Sequence, residues 1–201
     1  MRNGFWVLVA AMVLAVVLEV SCVSLEGVTK LTYHVEVQQE QNTQQGTLTV
    51  SFTPSGEDWK ISVHYKFDGE EFSMTSTTQG KTREEALFST LLMHPSLGVL
   101  LGQIMAAQGV YLPLAGVIQG KPEVGLLWHT RDAEGREMEI SIPSSEQRFG
   151  REAIWIVMKV AGEVTARFLV EKQSLIPLVI DLAEDRQRFF CEVQEVKWQE
   201  N

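Results

Sequence analysis

The sequence predicts a mainly β (α+β) fold: a single strongly curved antiparallel half-barrel sheet of about ten strands, with a two-helix apolar insert on the concave side. Three observations lead there. Apolar and polar residues alternate through most of the chain. Turn-forming clusters punctuate the alternation at meander spacing. One stretch, from Leu87 to Gly120, interrupts it and contains no Asp, Glu, Lys or Arg.

In the first part of the chain, Leu31, Tyr33, Val35 and Val37 alternate with Thr32, His34, Glu36 and Gln38. Leu48, Val50 and Phe52 alternate with Thr47, Thr49 and Ser51, and Trp59, Ile61, Val63, Tyr65 and Phe67 with Lys60, Ser62, His64 and Lys66. Period two marks half-buried strands with one face toward a core or ligand and the other toward water. Turns are expected at Pro54-Ser55-Gly56-Glu57-Asp58 and Asp68-Gly69. After the interruption, strands are expected over residues 125–131, 137–142, 153–160, 164–171, 178–182 and 188–196. Hairpin turns belong at Asp132-Ala133-Glu134-Gly135, Ala161-Gly162-Glu163 and Ala183-Glu184-Asp185.

The uncharged stretch opens with Thr82-Arg83-Glu84-Glu85, a capping box in which Thr82 caps a helix and Glu85 reaches back to it. Leu87, Phe88, Leu91 and Leu92 follow at helical spacing. Pro95 stops this helix and starts a second, which runs to about Gln108 with Gly109 as its stop. Neither has the roughly 20 apolar residues that a bilayer crossing needs. Helices apolar over most of their surface must be covered, and the curved sheet offers one apolar face.

The start of the chain reads differently. Arg2, the uncharged apolar run from Phe5 to Leu18 and the small residues Ser21, Cys22 and Ser24 form an export signal. Residues 1–22 are expected to be a signal peptide or lipoprotein leader, and residues 23–201 a single half-barrel domain. Leu18-Glu19-Val20-Ser21-Cys22 resembles the bacterial lipoprotein signal, which implies acylation of Cys22. Glu19 departs from that signal, whose corresponding position is apolar; cleavage without acylation is the alternative. The expected location is the periplasm or the cell envelope, by membrane anchoring. With Cys191 and at most Cys22, disulfides do not hold the domain.

Net charge is −9, and loss of the leader removes one charge of each sign, Arg2 and Glu19. Such a chain is repelled by nucleic-acid phosphates, so no nucleic-acid partner is expected. Signatures of catalysis are missing. Gly116-Val117-Ile118-Gln119-Gly120-Lys121 is one residue short of a phosphate loop, and Pro122 stands where Ser or Thr belongs. No Gly-x-Ser-x-Gly or His-Glu-x-x-His occurs. His34 and His64 fall on polar strand faces, His129 on a solvated face and His94 at a helix junction. Cys191 falls on the apolar side of its strand, as an inert thiol. The expectation is no enzyme, no cofactor and no metal.

Strands, a central helical insert and more strands in an exported chain resemble the LolA/LolB-like lipoprotein carriers and the mycobacterial LppX/LprG-type lipoproteins. The most specific match is Arg167-Phe168-Leu169-Val170-Glu171-Lys172-Gln173-Ser174-Leu175-Ile176-Pro177. It is similar to the late hairpin of that group, in which an aromatic strand ends in an acidic residue and a short turn leads to an apolar-Pro pair. Glu171 stands where Asp is more usual. The resemblance implies an unclosed barrel around an apolar cavity that receives acyl chains. No ligand-contacting residue of the family maps onto this chain. From the residues themselves, Leu91, Leu97, Leu101, Ile104 and Met105 are the candidate lining, because Met and Leu adapt to a flexible apolar ligand. The expected partner is a lipid or an acylated protein. The alternative is an envelope interaction or sensor module with a filled core and no ligand.

If Cys22 is acylated, globomycin should make the palmitate-labelled chain accumulate as an uncleaved precursor, and labelling should be abolished in Cys22→Ala. Labelling that survives the substitution would remove the lipid anchor.

Overall fold

The computed structural model describes residues 24–39, 42–67, 69–78, 82–93, 123–125, 127–131, 135–184 and 187–199. The strands are β1 (Val28–Gln39), β2 (Asn42–Ser55), β3 (Asp58–Phe67), β4 (Glu70–Thr78), β5 (Leu127–Arg131), β6 (Glu137–Ser141), β7 (Ser145–Arg148), β8 (Arg151–Val160), β9 (Glu163–Glu171), β10 (Pro177–Glu184) and β11 (Gln187–Trp198). One helix among the described residues, α1 (Arg83–Met93), lies between β4 and β5.

All eleven strands belong to one antiparallel sheet in the order β4-β3-β2-β1-β11-β10-β9-β8-β6-β5, with β7 paired to β8 beside β6. The sheet is a meander cut once. Its first four strands run outward from β1, the last ones return, and β11 closes on β1. Among the described residues, β4 and β5 form the two ends of the ladder and do not pair with each other. The single mainly β sheet matches the sequence expectation, with two strands, β4 and β7, that the alternation did not reveal. The first helix also matches: Thr82 Oγ1 accepts the N–H of Glu85 at 3.2 Å, which caps α1. The second expected helix, from Pro95 to Gln108, lies outside the described residues, as do Cys22 and the rest of the leader.

Two hairpins turn on pairs of left-handed residues. Phe149 (φ 52°) with Gly150 (φ 75°) joins β7 to β8, and Ala161 (φ 52°) with Gly162 (φ 85°) joins β8 to β9. Two-residue turns with positive φ match the natural twist of the flanking strands. The β9–β10 turn is built otherwise. The carboxylate of Glu171, 2 % exposed, accepts the N–H groups of Gln173 at 3.2 Å and Ser174 at 2.6 Å. The backbone of Glu171 also closes the turn, donating to the carbonyl of Ile176 and accepting from the N–H of Leu175. Leu175 holds φ 57°, a costly conformation for a branched side chain, and its burial beside Ile176 offsets that cost. This is the segment that carried the family resemblance. Its acidic residue is the internal cap of the turn.

α1 packs on the apolar face at β3 and β4. Ala86 and Thr90, one helical turn apart, are both fully buried, and Thr90 Oγ1 lies 3.1 Å from Thr78 Oγ1 on β4. On the opposite face, Arg148 of β7 pairs with Glu192 of β11 although β8, β9 and β10 stand between them. At about 4.8 Å per strand, a flat sheet would hold these side chains out of reach. The sheet therefore bends until the β7–β8 ribbon meets β11.

Tyr33 and Cys191 belong to the core. Burial pushes the Cys191 thiol from its ordinary 9.0 up to about 12, and burial together with Cys191 raises the Tyr33 hydroxyl. Tyr33 keeps one partner, donating to the Pro177 carbonyl at 3.4 Å.

Two outcomes follow. Glu171→Ala strands two amide donors at a buried turn, so unfolding in urea should show a loss of about 2–4 kcal/mol; a loss below about 0.5 kcal/mol would refute the cap. The fold also favours the protonated Cys191 thiol more than the unfolded chain does. Its contribution is complete below the ordinary value of 9.0 and is lost as pH rises from there through about 12. Native protein at pH 8 should thus resist a thiol reagent that labels Cys191 readily in denaturant, and stability should fall steeply above pH 9. Fast native labelling at pH 8 would contradict the burial.

Candidate functional site: the apolar sheet face

The strand registers align apolar residues into rows that run across the sheet. One row is Val35, Cys191, Ile180, Phe168 and Ile156, from β1 through β11, β10 and β9 to β8. Every member is at most 1 % exposed. The next row toward the sheet end is Val37, Phe189, Leu182, Ala166, Met158, Ile140 and Trp128, which extends through β6 to β5. Here Phe189, Leu182, Met158 and Trp128 are only half-buried. Two residues further along the same strands, the same face passes from shut to partly open. The open row crosses seven strands without a charged side chain.

A second partly open margin lies at the β4 end of the face. Leu48 is buried, Tyr65 beside it is half-buried, and Phe72 on β4 is 36 % exposed. Met74, also half-buried, follows two residues on. The apolar face is therefore sealed along its middle and graded toward two margins. Flexible Met and flat aromatic side chains line those margins, residue types that accommodate varied apolar partners.

The opposite face has different chemistry. Lys30–Glu195, Lys159–Glu139, Lys172–Glu152 and a two-pronged Arg188–Asp181 pair run across it at 2.6–3.0 Å. The hydrogen bond from Lys159 holds the Glu139 carboxyl below the usual carboxylate range, and Lys30 does the same for Glu195. These pairs are solvated and add little stability individually. Their role is to keep one face wet and the other dry. A small apolar strip, Trp155, Leu169 and Val179, interrupts the wet face; Glu146 accepts from Trp155 Nε1 at 3.0 Å, and the Arg148–Glu192 pair bridges the strip's ends.

Leu91 falls within α1, while Leu97, Leu101, Ile104 and Met105 lie outside the described residues. The graded row of Phe189, Leu182, Met158 and Trp128 was not anticipated. Alternation identified each as inward-facing, but their meeting in one row depends on register between strands far apart in sequence. His34 and His64 fall two ladder rungs apart on the polar face; His64 bonds Ser73 at 2.6 Å and faces Glu71 at 3.6 Å. His129 is exposed opposite Glu139. Cys191 is a free, buried thiol held protonated by the core. Among the described residues, no three His, Cys, Asp or Glu side chains converge, and no helix is long and apolar enough to cross a membrane. What the arrangement offers chemically is a dry surface with adaptable margins.

No family model matches the chain, and no curated protein does. Solved structures with some similarity include three at low identity. LprF from Mycobacterium bovis is 9% identical, with a TM-score of 0.30, over 85% of this chain and 86% of that one. A LolA superfamily protein from Nitrosomonas europaea is 5% identical, with a TM-score of 0.25, over 91% of each chain. MucB in complex with MucA(peri) gives 9% identity and a TM-score of 0.41, over 86% of this chain and 51% of that one. The chain thus spans about half the length of the MucB structure.

Proposed function

We propose that the chain is an exported cell-envelope protein that binds the acyl chain of a lipid or an acylated protein on its apolar sheet face and shields it from water. The reading rests on one observation, the graded row. Phe189, Leu182, Met158 and Trp128 present half-buried apolar surface in line across the sheet, directly beside a row that is fully shut. Each CH₂ taken out of water there is worth about 0.8 kcal/mol. The uncharged stretch from Leu87 to Gly120 supports the reading by composition. Leu91, Leu97, Leu101, Ile104 and Met105 complete the lining in this proposal, and Cys22 is the membrane tether. The work is transfer or shielding without covalent chemistry, and the protein uses no metal or cofactor.

A second reading is favoured by Phe72. It stands exposed on β4, whose outer edge pairs with no strand among the described residues. An envelope interaction module with a filled core would use that edge for a protein partner.

Substitution separates the two. In the carrier, Leu101→Trp fills space that the ligand needs, so a fluorescent fatty acid should bind at least about tenfold more weakly while the melting temperature moves little. Met158→Lys, on the graded row, should weaken binding in the same direction. In a filled core, Leu101→Trp would overpack at a cost of about 1–3 kcal/mol with no binding to lose. A large drop in melting temperature, with no fatty acid bound by the unmodified protein, would leave the interaction module. Native mass spectrometry of the purified protein before and after lipid extraction gives an independent reading.

A further inference from the structure

Two buried donors lie together where β1 begins and β11 ends. Arg83 is 8 % exposed, and its Nε has no hydrogen-bond partner among the described residues; the same is true of the buried Nε1 of Trp198. Arg83 Nη2 donates to Oε1 of Gln199, the residue after Trp198, at 3.0 Å. The N–H of Gln199 donates to the Gly27 carbonyl at 2.6 Å, and Trp198 faces Val28 in the ladder. The Arg83 guanidinium sits 4.4 Å from the centre of the Trp59 ring, and a second guanidinium, Arg151, sits 3.5 Å from the centre of the Trp198 ring.

Neither arginine has a carboxylate within ion-pair distance among the described residues. Lys30, Arg148, Lys159, Lys172 and Arg188 all have one. A chain of net charge −9 has no shortage of carboxylates. Glu84, next to Arg83 in sequence, directs Oε1 to the N–H of Leu25 instead. Burying a guanidinium without a counter-charge is expensive, and so is burying an indole N–H without an acceptor. Both costs fall at one pole, along with Arg151, which has no ion pair among the described residues, and the N-terminus of α1, whose first turn already carries Glu84 and Glu85. Arg83 Nη2 has Gln199 Oε1, but among the described residues Arg83 Nε and Trp198 Nε1 both lack an acceptor.

We propose that this pole binds an anionic oxygen head, a carboxylate or a phosphate, with Arg83 and Arg151 supplying charge and Trp198 Nε1 a neutral donor. Stacking on Trp59 and Trp198 leaves the guanidinium edges free for a two-pronged acceptor. Resting on the acyl-chain reading above, the head belongs to the molecule whose chain lies on the apolar face; the ligand class is then an acidic amphiphile.

Full-length protein is titrated with oleate, with methyl oleate, which has the same chain without the charge, and with inorganic phosphate. The unmodified protein should bind oleate at least about tenfold more tightly than methyl oleate. Arg83→Gln, Arg151→Gln and Trp198→Phe, the last keeping an aromatic ring under Arg151, should each bring that ratio toward one with methyl oleate affinity unchanged. Melting temperature decides which variants are folded well enough to read. Equal affinity for oleate and methyl oleate in the unmodified protein overturns the head site and leaves the acyl reading standing. Phosphate binding that Trp198→Phe weakens, with neither oleate form bound, upholds the anion site and overturns the acyl reading. Failure to bind any of the three overturns both.

Discussion

An open antiparallel sheet has two faces and only one of them can be left to water. Here the strands alternate well enough that most large apolar side chains fall on one side, so a dry face spans the ladder from β4 to β5. Most other features answer to it. α1 packs Ala86 and Leu87 onto the face at β3 and β4. The ion pairs of the other side keep the sheet from being inverted, because a register slip of one residue would carry Lys30, Glu139 and Asp181 into the core. The bend that joins Arg148 to Glu192 crosses the small apolar strip on the wet side, so the central strands are dry on both surfaces. That is why β8, β9 and β10 hold a dense run of fully buried residues: Ile154, Ile156, Phe168, Leu169, Val170 and Ile180.

Register is fixed by polar groups placed where apolar packing alone would not choose. Glu171 takes two backbone donors inside a turn that also carries a left-handed leucine. Without the carboxylate, the turn would hold both a strained residue and unsatisfied amides. With it, Ile176 and Pro177 enter β10 in the phase that sets Ile180 beside Phe168 and Cys191, the row that seals the middle of the face. The grading of the neighbouring row is a consequence. Phe189 and Leu182 sit two residues nearer the β10–β11 hairpin, where the sheet runs out of neighbours.

How much of this the sequence discloses depends on whether the signal is local. Period two located β1, β2, β3 and, apart from β7, the strands from β5 onward, because apolar residues recur at alternate positions through much of each. β4 escaped because Ser73, Thr75, Thr77 and Thr78 leave only Phe72 and Met74 as apolar markers; β7, Ser145–Arg148, has no apolar residue at all and is a strand only because β8 offers a partner. The Thr82 cap was legible because a capping box is complete within four residues. The role of Glu171 was visible only as a family likeness, since nothing in Glu-Lys-Gln-Ser states that the carboxylate turns inward. The graded row and the Arg83–Trp198 pole were not legible. Each joins residues far apart in sequence, and alternation tells which face a residue takes but not which residue lies beside it.

The two features on which the proposals rest, the donor pole and the graded row, lie toward opposite ends of the sheet. Val28, at the donor pole, and Val37, in the graded row, lie nine residues apart on β1, about 30 Å along the strand. Between them Leu31 and Val35 are shut, at 4 % and 0 % exposure. On the proposed reading, an amphiphile anchored at the pole would run along these shut rows toward the graded row, so something on the face would have to yield. The sheet yields least, because each strand between its two ends, β4 and β5, is tied to a neighbour on either side and a shift would break hydrogen bonds along whole strands. The part that can yield is whatever layer lies on the face, whose side chains exchange one apolar contact for another at little cost. Uncharged sequence rich in leucine, methionine and glycine, such as Leu87 to Gly120, suits a layer of that kind. On the acyl-chain proposal, the sheet would serve as a rigid wall and a segment of that composition as its adjustable cover, with the charged anchor at the wall's end.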